Sequence, residues 1–339
     1  MPATQFDVAQ RAGVSQRTVS NVVNGVASVG PAVRERVLDA IRELDYRPSL
    51  AARGLRVGRS GLLQLIVPEL DVPYFAELAR HVVASAEERG YALLVRQTLG
   101  SPDRERLTLD DSAGEYVEGT ILSAVGPVDE LLAGRAARTP VVLIGESTGR
   151  GLVDHIGIDD EAAAFAATQH LLATGRRRVA FVGADPASSL RMAALRRAGY
   201  GRALEAAGLV VDERLVIRTA SYHRRDGAEA MAGLLDLDDP PDAVFAATDL
   251  LALGVLHEAN RRGLAVPDRL AVMGFDGLEE GAYSSPTLST VAPDKPAIAR
   301  ASVAALLDRL GALEEGGVPR PPVDVPVPFT LALRGSTAR

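Results

Sequence analysis

From Gly61 onward, short apolar runs alternate with stretches of helical periodicity. The strand-like runs are LLQLIVP, YALLVRQ, TILSAVG, PVVLIGE, HIGID, RVAFVGA, LVIRTA, AVFAAT and LAVMGFD. Helices are predicted at 74–89, 161–174, 194–207, 225–235 and 250–262. This alternation is typical of βαβ units, in which helices cover both faces of a parallel sheet. The units are too many for one sheet, so we predict an α/β body of two doubly wound parallel-sheet lobes, with a ligand cleft beyond the carboxyl ends of the strands.

The first 48 residues follow a different pattern, that of three short helices. Thr4 and Asp7 form a shortened capping box at the start of the first helix, Ser15 caps the second, and Pro31 opens the third. The apolar side chains at helical spacing are Phe6, Val8, Ala9, Ala12, Val19, Val22, Val23, Val33, Val37, Leu38, Ile41 and Leu44. The pattern predicts an all-α helix-turn-helix headpiece whose second helix enters the major groove of DNA.

The charge of the chain is unevenly distributed. Residues 1–60 contain nine arginines and five acidic residues, a balance of +4. Because the whole chain carries −7, the other 279 residues carry −11. A small basic head on an acidic body is typical of a polyanion-binding module joined to a domain with another task.

The second helix carries side chains suited to DNA. Gln and Asn can pair with adenine edges, and Arg can pair with guanine edges. We therefore predict that Gln16, Arg17 and Asn21 contact bases. Thr18, Ser20 and Asn24 are suited to phosphate oxygens. Any short exposed helix face can carry such residues, so this pattern alone leaves an ordinary polar surface open.

The segments TQFDVAQRAGVSQRTVSNVVNG and ERVLDAIRELDYRPSLAARGLR resemble the headpiece and hinge of the LacI/GalR family of bacterial transcriptional repressors. The resemblance implies that residues 49–56 fold into a hinge helix on the operator, with Leu55 wedged into the minor groove beside Ala52. The DNA-contacting residues are then Thr4, Ser15, Gln16, Arg17, Thr18, Ser20, Asn21, Asn24, Ala52, Arg53 and Leu55. Asn21 stands where most relatives carry Arg, and Gly54 weakens the hinge helix by about 1 kcal/mol relative to Ala, so the operator sequence is not implied.

The body also resembles this family, and through it the periplasmic sugar-binding proteins, over landmarks that include GIDDEAAAFAATQHLLATGRRRVAFVG and VMGFDGLEEGAYSSPTLSTV. The resemblance implies three crossings between the lobes, near 159–161, 288–291 and 321–326. It implies a headpiece at 1–48, a hinge and linker at 49–60, and an effector-binding and dimerisation core at 61–339. Lobe 1 then comprises about 61–159 and 290–322, and lobe 2 about 160–289 and 323–339. The expected partners are a pseudo-palindromic double-stranded operator, a second copy of the chain and a small-molecule effector, with no membrane partner.

The effector pocket implied by the resemblance consists of Phe75, Ser123, Arg196, Tyr222, Thr248, Asp249 and Asp276. Arg196 and Asp276 can hold polar ligand groups, and two aromatic rings offer flat faces to a sugar or purine. An ion pair that bridges the lobes is the alternative role for the Arg and the Asp.

The chain departs from the family pattern in four replacements. Val72 replaces a common Asn, Gly145-Glu146 replaces a frequent Asp-Arg, Thr248 replaces Asn, and Pro293 replaces Gln. A pocket that loses amides and an Arg while gaining Glu146 need not bind the usual neutral sugar.

Other function classes fit the sequence less well. The chain has no cysteine, and its single lysine, Lys295, lies outside any G-K-[ST] phosphate loop. The histidines lack metal-ligand spacing, and we expect neither a metal nor a cofactor. No apolar run approaches the roughly 20 residues of a membrane span, and the first fifteen residues carry no secretory signal, so we expect a cytoplasmic protein.

Two alternatives to a small-molecule-controlled repressor stay open. A regulator of the same fold can respond to a protein partner, as in the family's catabolite-control branch, or to nothing. The motif GESTG, with Ser147, fits the G-x-S-x-G elbow of α/β hydrolases, and Asp249 and His257 follow in hydrolase order. The elbow must lead directly into a helix, whereas here RGLVDHIGID follows, so we predict that the chain is not an enzyme.

Overall fold

The computed structural model describes residues 3–23, 29–46, 60–114, 117–132, 139–147, 151–184, 191–317 and 320–338. The chain forms two compact units, Met1–Gly61 and Leu62–Arg339. Among the described residues, no helix combines the length and apolar character that crossing a bilayer requires.

The N-terminal unit contains α1 (Gln5–Ala12), α2 (Gln16–Val23) and α3 (Pro31–Glu43). The predicted capping box is present, since the Asp7 amide donates to Thr4 Oγ1 at 3.3 Å and the Thr4 amide donates to Asp7 Oδ2 at 2.8 Å. Ser15 caps α2 by accepting from the Thr18 amide at 3.1 Å. These bonds satisfy amides that a helix start leaves without partners, so the three predicted helices are confirmed.

Val8, Val19 and Val37 are fully buried where these three helices meet. Two of the apolar side chains at helical spacing are exposed, Phe6 by 59% and Leu38, which the spacing placed in the buried stripe of α3, by 41%. Positions 37, 40, 41 and 44 share one face of α3 at 3.6 residues per turn, and Leu38 lies about 100° away from Val37 around the helix axis.

The described residues of the second unit form two six-stranded sheets. The first has the order β11-β5-β4-β3-β1-β2 and consists of β1 (Leu62–Val67), β2 (Ala92–Gln97), β3 (Gly119–Leu122), β4 (Val141–Ile144), β5 (Asp154–Gly157) and β11 (Asp324–Pro326). The second has the order β12-β10-β9-β8-β6-β7 and consists of β6 (Val179–Ala184), β7 (Val216–Arg218), β8 (Ala243–Ala246), β9 (Ala271–Phe275), β10 (Ser289–Pro293) and β12 (Phe329–Ala332). Every pairing is parallel except that of β10 with β12. The predicted pair of doubly wound lobes is confirmed.

Helices of this unit pack on the two sheets. They are α4 (Pro73–Glu87), α5 (Pro102–Gly114), α6 (Val128–Leu132), α7 (Asp160–Ala173), α8 (Arg191–Ala206), α9 (Arg224–Leu235), α10 (Asp249–Arg261) and α11 (Lys295–Glu314), with short 3₁₀ turns at Glu213–Leu215 and Glu279–Ala282. The nine strand-like runs became β1 to β9, and the five predicted helices became α4, α7, α8, α9 and α10. The prediction did not include α5, α6, α11 or the last three strands.

Two of the three crossings lie later than predicted. Val291 and Pro293 pair with Leu331 and Phe329, so β10 belongs to the second sheet and the chain crosses after it. Residues 324–326 pair with β5 in the first sheet, and the chain crosses back between β11 and β12. The backbone hydrogen bonds of these short strands, which apolar patterning does not reveal, determine where each crossing falls.

Helices α9 and α10 lie very close together because each has a glycine at the contact. A Cβ at Gly227 would lie 2.1 Å from the Leu251 carbonyl oxygen, and one at Gly254 would lie 2.0 Å from the Arg224 carbonyl oxygen. No larger residue fits without moving a backbone. This packing fixes the amino ends of both helices at the same edge of the second sheet.

Candidate functional site

A cavity of about 570 Å³ lies between the two lobes of the second unit. Its walls come from segments that follow the carboxyl ends of β1, β3, β4 and β5 in the first lobe and of β7, β8 and β9 in the second. Parallel strands place their carboxyl ends at one edge of each sheet, which explains why residues distant in sequence meet here. The predicted cleft is therefore at the expected place.

Six of the seven predicted pocket residues line this cavity. Phe75 and Ser123 lie on the first lobe, and Arg196, Tyr222, Thr248 and Asp276 lie on the second. A molecule that fills the cavity therefore contacts both lobes.

Arg196 is the centre of the buried charges in the second lobe. Its Nε donates to Asp160 Oδ1 at 2.8 Å, and its Nη1 lies 3.6 Å from Asp276 Oδ1. Its guanidinium carbon lies 3.4 Å from the ring centre of Phe275, a cation–π contact. Asp160 and Asp276 belong to the same lobe as Arg196, so the alternative of a lobe-bridging ion pair between Arg196 and Asp276 is wrong.

Asp276 is held in a strained backbone conformation. Its φ of 124° lies in a region that side-chain-bearing residues rarely adopt. The Asp276 amide donates to Val291 O at 2.9 Å, and the Leu278 amide donates to Asp249 Oδ2 at 2.7 Å. Strain of this kind persists only where the surroundings enforce it, and here the enforced loop presents the Asp276 carboxyl to the cavity.

Asp249, predicted to contact the effector, does not line the cavity. Its side chain is fully buried against Gly274, and its carboxyl accepts from the Leu278 amide. Burial and the nearby Asp276 raise the pKa of Asp249 well above its usual range. Asp249 is the first residue of α10, and its side chain turns toward β9. There it positions the loop that carries Asp276.

The cavity wall holds an excess of carboxyl groups. Burial raises the pKa of Glu146 to about 7, and Asp160 adds to that shift. Burial likewise raises the pKa of Asp276 to about 6, although Arg196 opposes the shift. The pKa of Tyr74 is also raised, mainly by burial and then by Asp276. The cavity is therefore a poor environment for additional negative charge.

Polar contacts join the two lobes beside the cavity. Lys295 Nζ donates to Glu77 Oε2 at 2.6 Å and to Gly277 O at 2.9 Å, and the Glu279 amide donates to Glu77 Oε1 at 3.1 Å. His223 Nε2 lies 3.2 Å from Glu69 Oε2 across the cleft. The sequence analysis predicted neither the Glu77 contacts nor the pair of His223 with Glu69. The only sequence feature that singled out any of these residues was that Lys295 is the one lysine of the chain.

The hydrolase alternative is wrong. The Ser147 hydroxyl donates to the Ala124 carbonyl at 3.1 Å, and the nearby His155 ring contacts the Gly145 carbonyl instead of the serine. His257 lies on α10 of the other lobe. The described residues between β4 and β5, 145–147 and 151–153, contain no helix of the kind that a nucleophile elbow requires.

In the N-terminal unit, Gln16 and Arg17 are exposed at the start of α2, and Thr18, Ser20 and Asn21 are half-buried. The hydroxyls of Thr4 and Ser15 are engaged in the helix caps. The predicted DNA-contacting residues Asn24, Ala52, Arg53 and Leu55, and the hinge at 49–56, lie outside the described residues.

Comparisons with known proteins agree with this architecture. Residues 5–49 match the model of bacterial regulatory proteins of the lacI family, and residues 168–337 match that of a periplasmic binding protein-like domain. Catabolite control protein A of Priestia megaterium is 35% identical over 86% of this chain and 87% of its own. The HTH-type transcriptional repressor CytR of Escherichia coli K12 is 32% identical over 99% of this chain and 96% of its own. A structure of the transcriptional regulator CelR in complex with cellobiose is 31% identical, covers 98% of this chain and 99% of that one, and has a TM-score of 0.72. The chain therefore belongs to the LacI family of bacterial regulators, which are DNA-binding transcriptional regulators and not enzymes.

Proposed function

We propose that this chain is a homodimeric repressor whose affinity for a pseudo-palindromic operator is switched by a sugar or related metabolite bound between its lobes. The observation that carries this proposal is the cavity of about 570 Å³ with walls from both lobes. The proposed division is a headpiece at 1–48, a hinge at 49–60 and a core at 61–339. Regulation of chromosomal DNA requires the cytoplasm, which is the proposed location.

Operator recognition is assigned to the start of α2. Gln16 and Arg17 are exposed there, and their side chains match adenine and guanine edges in the major groove. Two such helices in a symmetric dimer read two half-sites of a palindrome. A pair of Leu55 side chains then wedges into the minor groove at the operator centre.

Effector control is assigned to the angle between the lobes. A ligand that contacts Phe75 on one lobe and Asp276 on the other favours one lobe arrangement over others. It can change operator affinity only through its differential affinity for those arrangements, typically by 1 to 3 kcal/mol. The relative CelR binds cellobiose, which supports a sugar as the ligand class.

The proposal is tested with the full chain in two steps. An operator is selected from a random DNA pool, and its affinity is then measured by fluorescence anisotropy while mono- and disaccharides and nucleosides are added. We expect at least one compound to change operator affinity 5-fold or more, by about 1 kcal/mol or more.

The matched variants are Asp276→Asn, in the cavity wall, and Asp238→Asn, the same chemical change at an exposed site outside the wall. Asp276→Asn should lose the response, and Asp238→Asn should keep it. Selected DNA whose affinity no compound changes would overturn effector control and favour a protein partner or constitutive binding.

A further inference from the structure

The ionisable groups on the cavity wall are unbalanced. Three carboxyl groups, those of Glu146, Asp160 and Asp276, line the wall together with a single guanidinium, that of Arg196, which pairs with Asp160 and Asp276. Glu69 and His223 also line the cavity, and they pair with each other across the cleft. The inner wall therefore carries two more acidic than basic groups.

Arg196 has little capacity for an additional acceptor. It donates to Asp160 and to the Ala247 carbonyl, lies 3.6 Å from Asp276, and stacks over Phe275. An anionic ligand would have to displace one of these acceptors and approach the excess carboxyl groups. The wall thus disfavours a phosphate or carboxylate on the ligand.

Glu146 lies half-buried on the wall contributed by the first lobe, directly after Gly145. It forms no ion pair with any residue in the described part of the chain. Thr219, on the opposite wall, has a hydroxyl that is buried without a hydrogen-bond partner among the described residues. Both lobes thus offer polar groups whose partner a ligand can supply, because buried polar groups are normally paired.

We infer that the effector carries a positive charge, as an amino-substituted sugar does, and that Glu146 receives its ammonium group. This inference rests on the proposed function, whose ligand class it narrows. An ammonium group supplies three donors to a wall rich in acceptors and forms charge-assisted hydrogen bonds with a carboxylate. The described residues contain no group of His, Asp or Glu side chains arranged to hold a metal ion, which favours an organic cation.

A positively charged effector should also bind with an affinity that depends on pH. Glu146 faces Tyr74, Asp160, Arg196 and Asp276, and burial raises its pKa to about 7. Bound ammonium stabilises the ionised carboxylate and so lowers that pKa. Binding then releases a proton below pH 7, and affinity rises with pH by at most about tenfold per unit for each proton released.

Isothermal titration calorimetry of the full chain tests the charge. The probes are matched pairs that differ at one position, D-glucosamine against D-glucose and D-galactosamine against D-galactose. We expect the amino member of at least one pair to bind about tenfold or more tightly than its neutral partner. Its affinity should increase roughly tenfold between pH 5.5 and 7, while the affinity of the neutral partner should change much less.

The variant Glu146→Gln keeps the shape of the side chain and removes its charge. It should weaken the amino member about 10- to 100-fold, the range of a hydrogen bond to a charged group, and change the neutral member less than about threefold. It should also reduce the pH dependence to the part contributed by Asp276, whose pKa is about 6. Glu130→Gln, an exposed control outside the cavity, should bind both members like the unaltered chain.

Equal or tighter binding of the neutral sugars, or an amino preference that survives in Glu146→Gln, would overturn the charge assignment. Failure of every probe to bind would overturn it as well. Neutral sugars that bind and lose affinity in Asp276→Asn would leave the proposed function standing without this inference, which separates the two failures.

Discussion

Asp154 is the most heavily hydrogen-bonded buried charge in the described first lobe. Its replacement by Asn tests how β5 is held to the segments that return to this lobe late in the chain. Its fully buried carboxylate accepts two hydrogen bonds from Arg309, two from Arg320 and one from the Val323 amide, all between 2.8 and 3.0 Å. Arg309 belongs to α11, and Arg320 and Val323 precede β11. One carboxylate therefore joins β5 to both later segments of the lobe.

The free energy that these hydrogen bonds contribute to folding follows from the pKa of Asp154. The two guanidinium groups hold the pKa of Asp154 at about 2, below its ordinary value of 3.8, although burial opposes them. A difference of that size is worth about 2 kcal/mol of folding free energy near pH 7. Removing one partner of a buried pair costs up to about 3 to 5 kcal/mol, but Arg320 is 37% exposed and can rehydrate. We therefore expect Asp154→Asn to destabilise the core by about 2 to 3 kcal/mol.

The same pKa determines how this stabilisation depends on pH. Because the folded-state pKa is depressed, the stabilisation is present above pH 4 and is lost as the pH falls toward 2, with about half remaining at pH 3. Urea unfolding followed by circular dichroism at pH 7 and pH 3 measures both quantities. Asp308→Asn is the matched control, since Asp308 is 66% exposed and, among the described residues, bonds only Arg320. A loss below 1 kcal/mol at pH 7, or one equal to that of Asp308→Asn, would refute the reasoning.

Three further predictions concern the helix contact, the lobe contact and DNA. Gly254→Ala should destabilise the second lobe by about 2 kcal/mol or more in thermal unfolding, because its Cβ would meet the Arg224 carbonyl; an unchanged melting temperature would contradict the close packing. Glu77→Gln should weaken the contact with Lys295 and change the effector concentration at half-response several-fold in the anisotropy assay; an unaltered titration would show that this contact does not bias the lobes. Arg17→Ala should cost roughly 1 to 3 kcal/mol of operator binding and relax one base position, whereas equal weakening on all sequences would reassign Arg17 to phosphate.

The elements predicted from the sequence are those whose side chains carry a strong local signal. The runs that became β1 to β9 are mostly buried between helices, so they are continuously apolar. Strands β11 and β12 have three and four residues, mostly half-exposed, and form only because distant partners offer hydrogen bonds. Helix α11 has apolar side chains around much of its circumference, which hides the helical period.

The cavity was predictable in position, but only partly in composition. The resemblance carried Phe75 and Arg196 to the correct walls, because the carboxyl ends of parallel strands converge whatever the side chains are. It gave no sign of the contact between Glu77 and Lys295, which are separated by 218 positions. It also placed Asp249 on the wall, because a residue adjacent to Thr248 gives no signal of turning inward.

The polar contacts that join the two lobes limit what any effector can do. The lobes are already joined without a ligand by the contacts of Glu77 and by the pairing of His223 with Glu69. A ligand changes operator affinity by the difference between the contacts it adds in each lobe arrangement, and that difference is typically 1 to 3 kcal/mol. His223 is 41% exposed and Glu69 33% exposed, so their pairing is worth at most about 1 kcal/mol. That is still a sizeable fraction of the coupling energy. Contacts between the lobes themselves can therefore set the effector concentration at which this repressor responds.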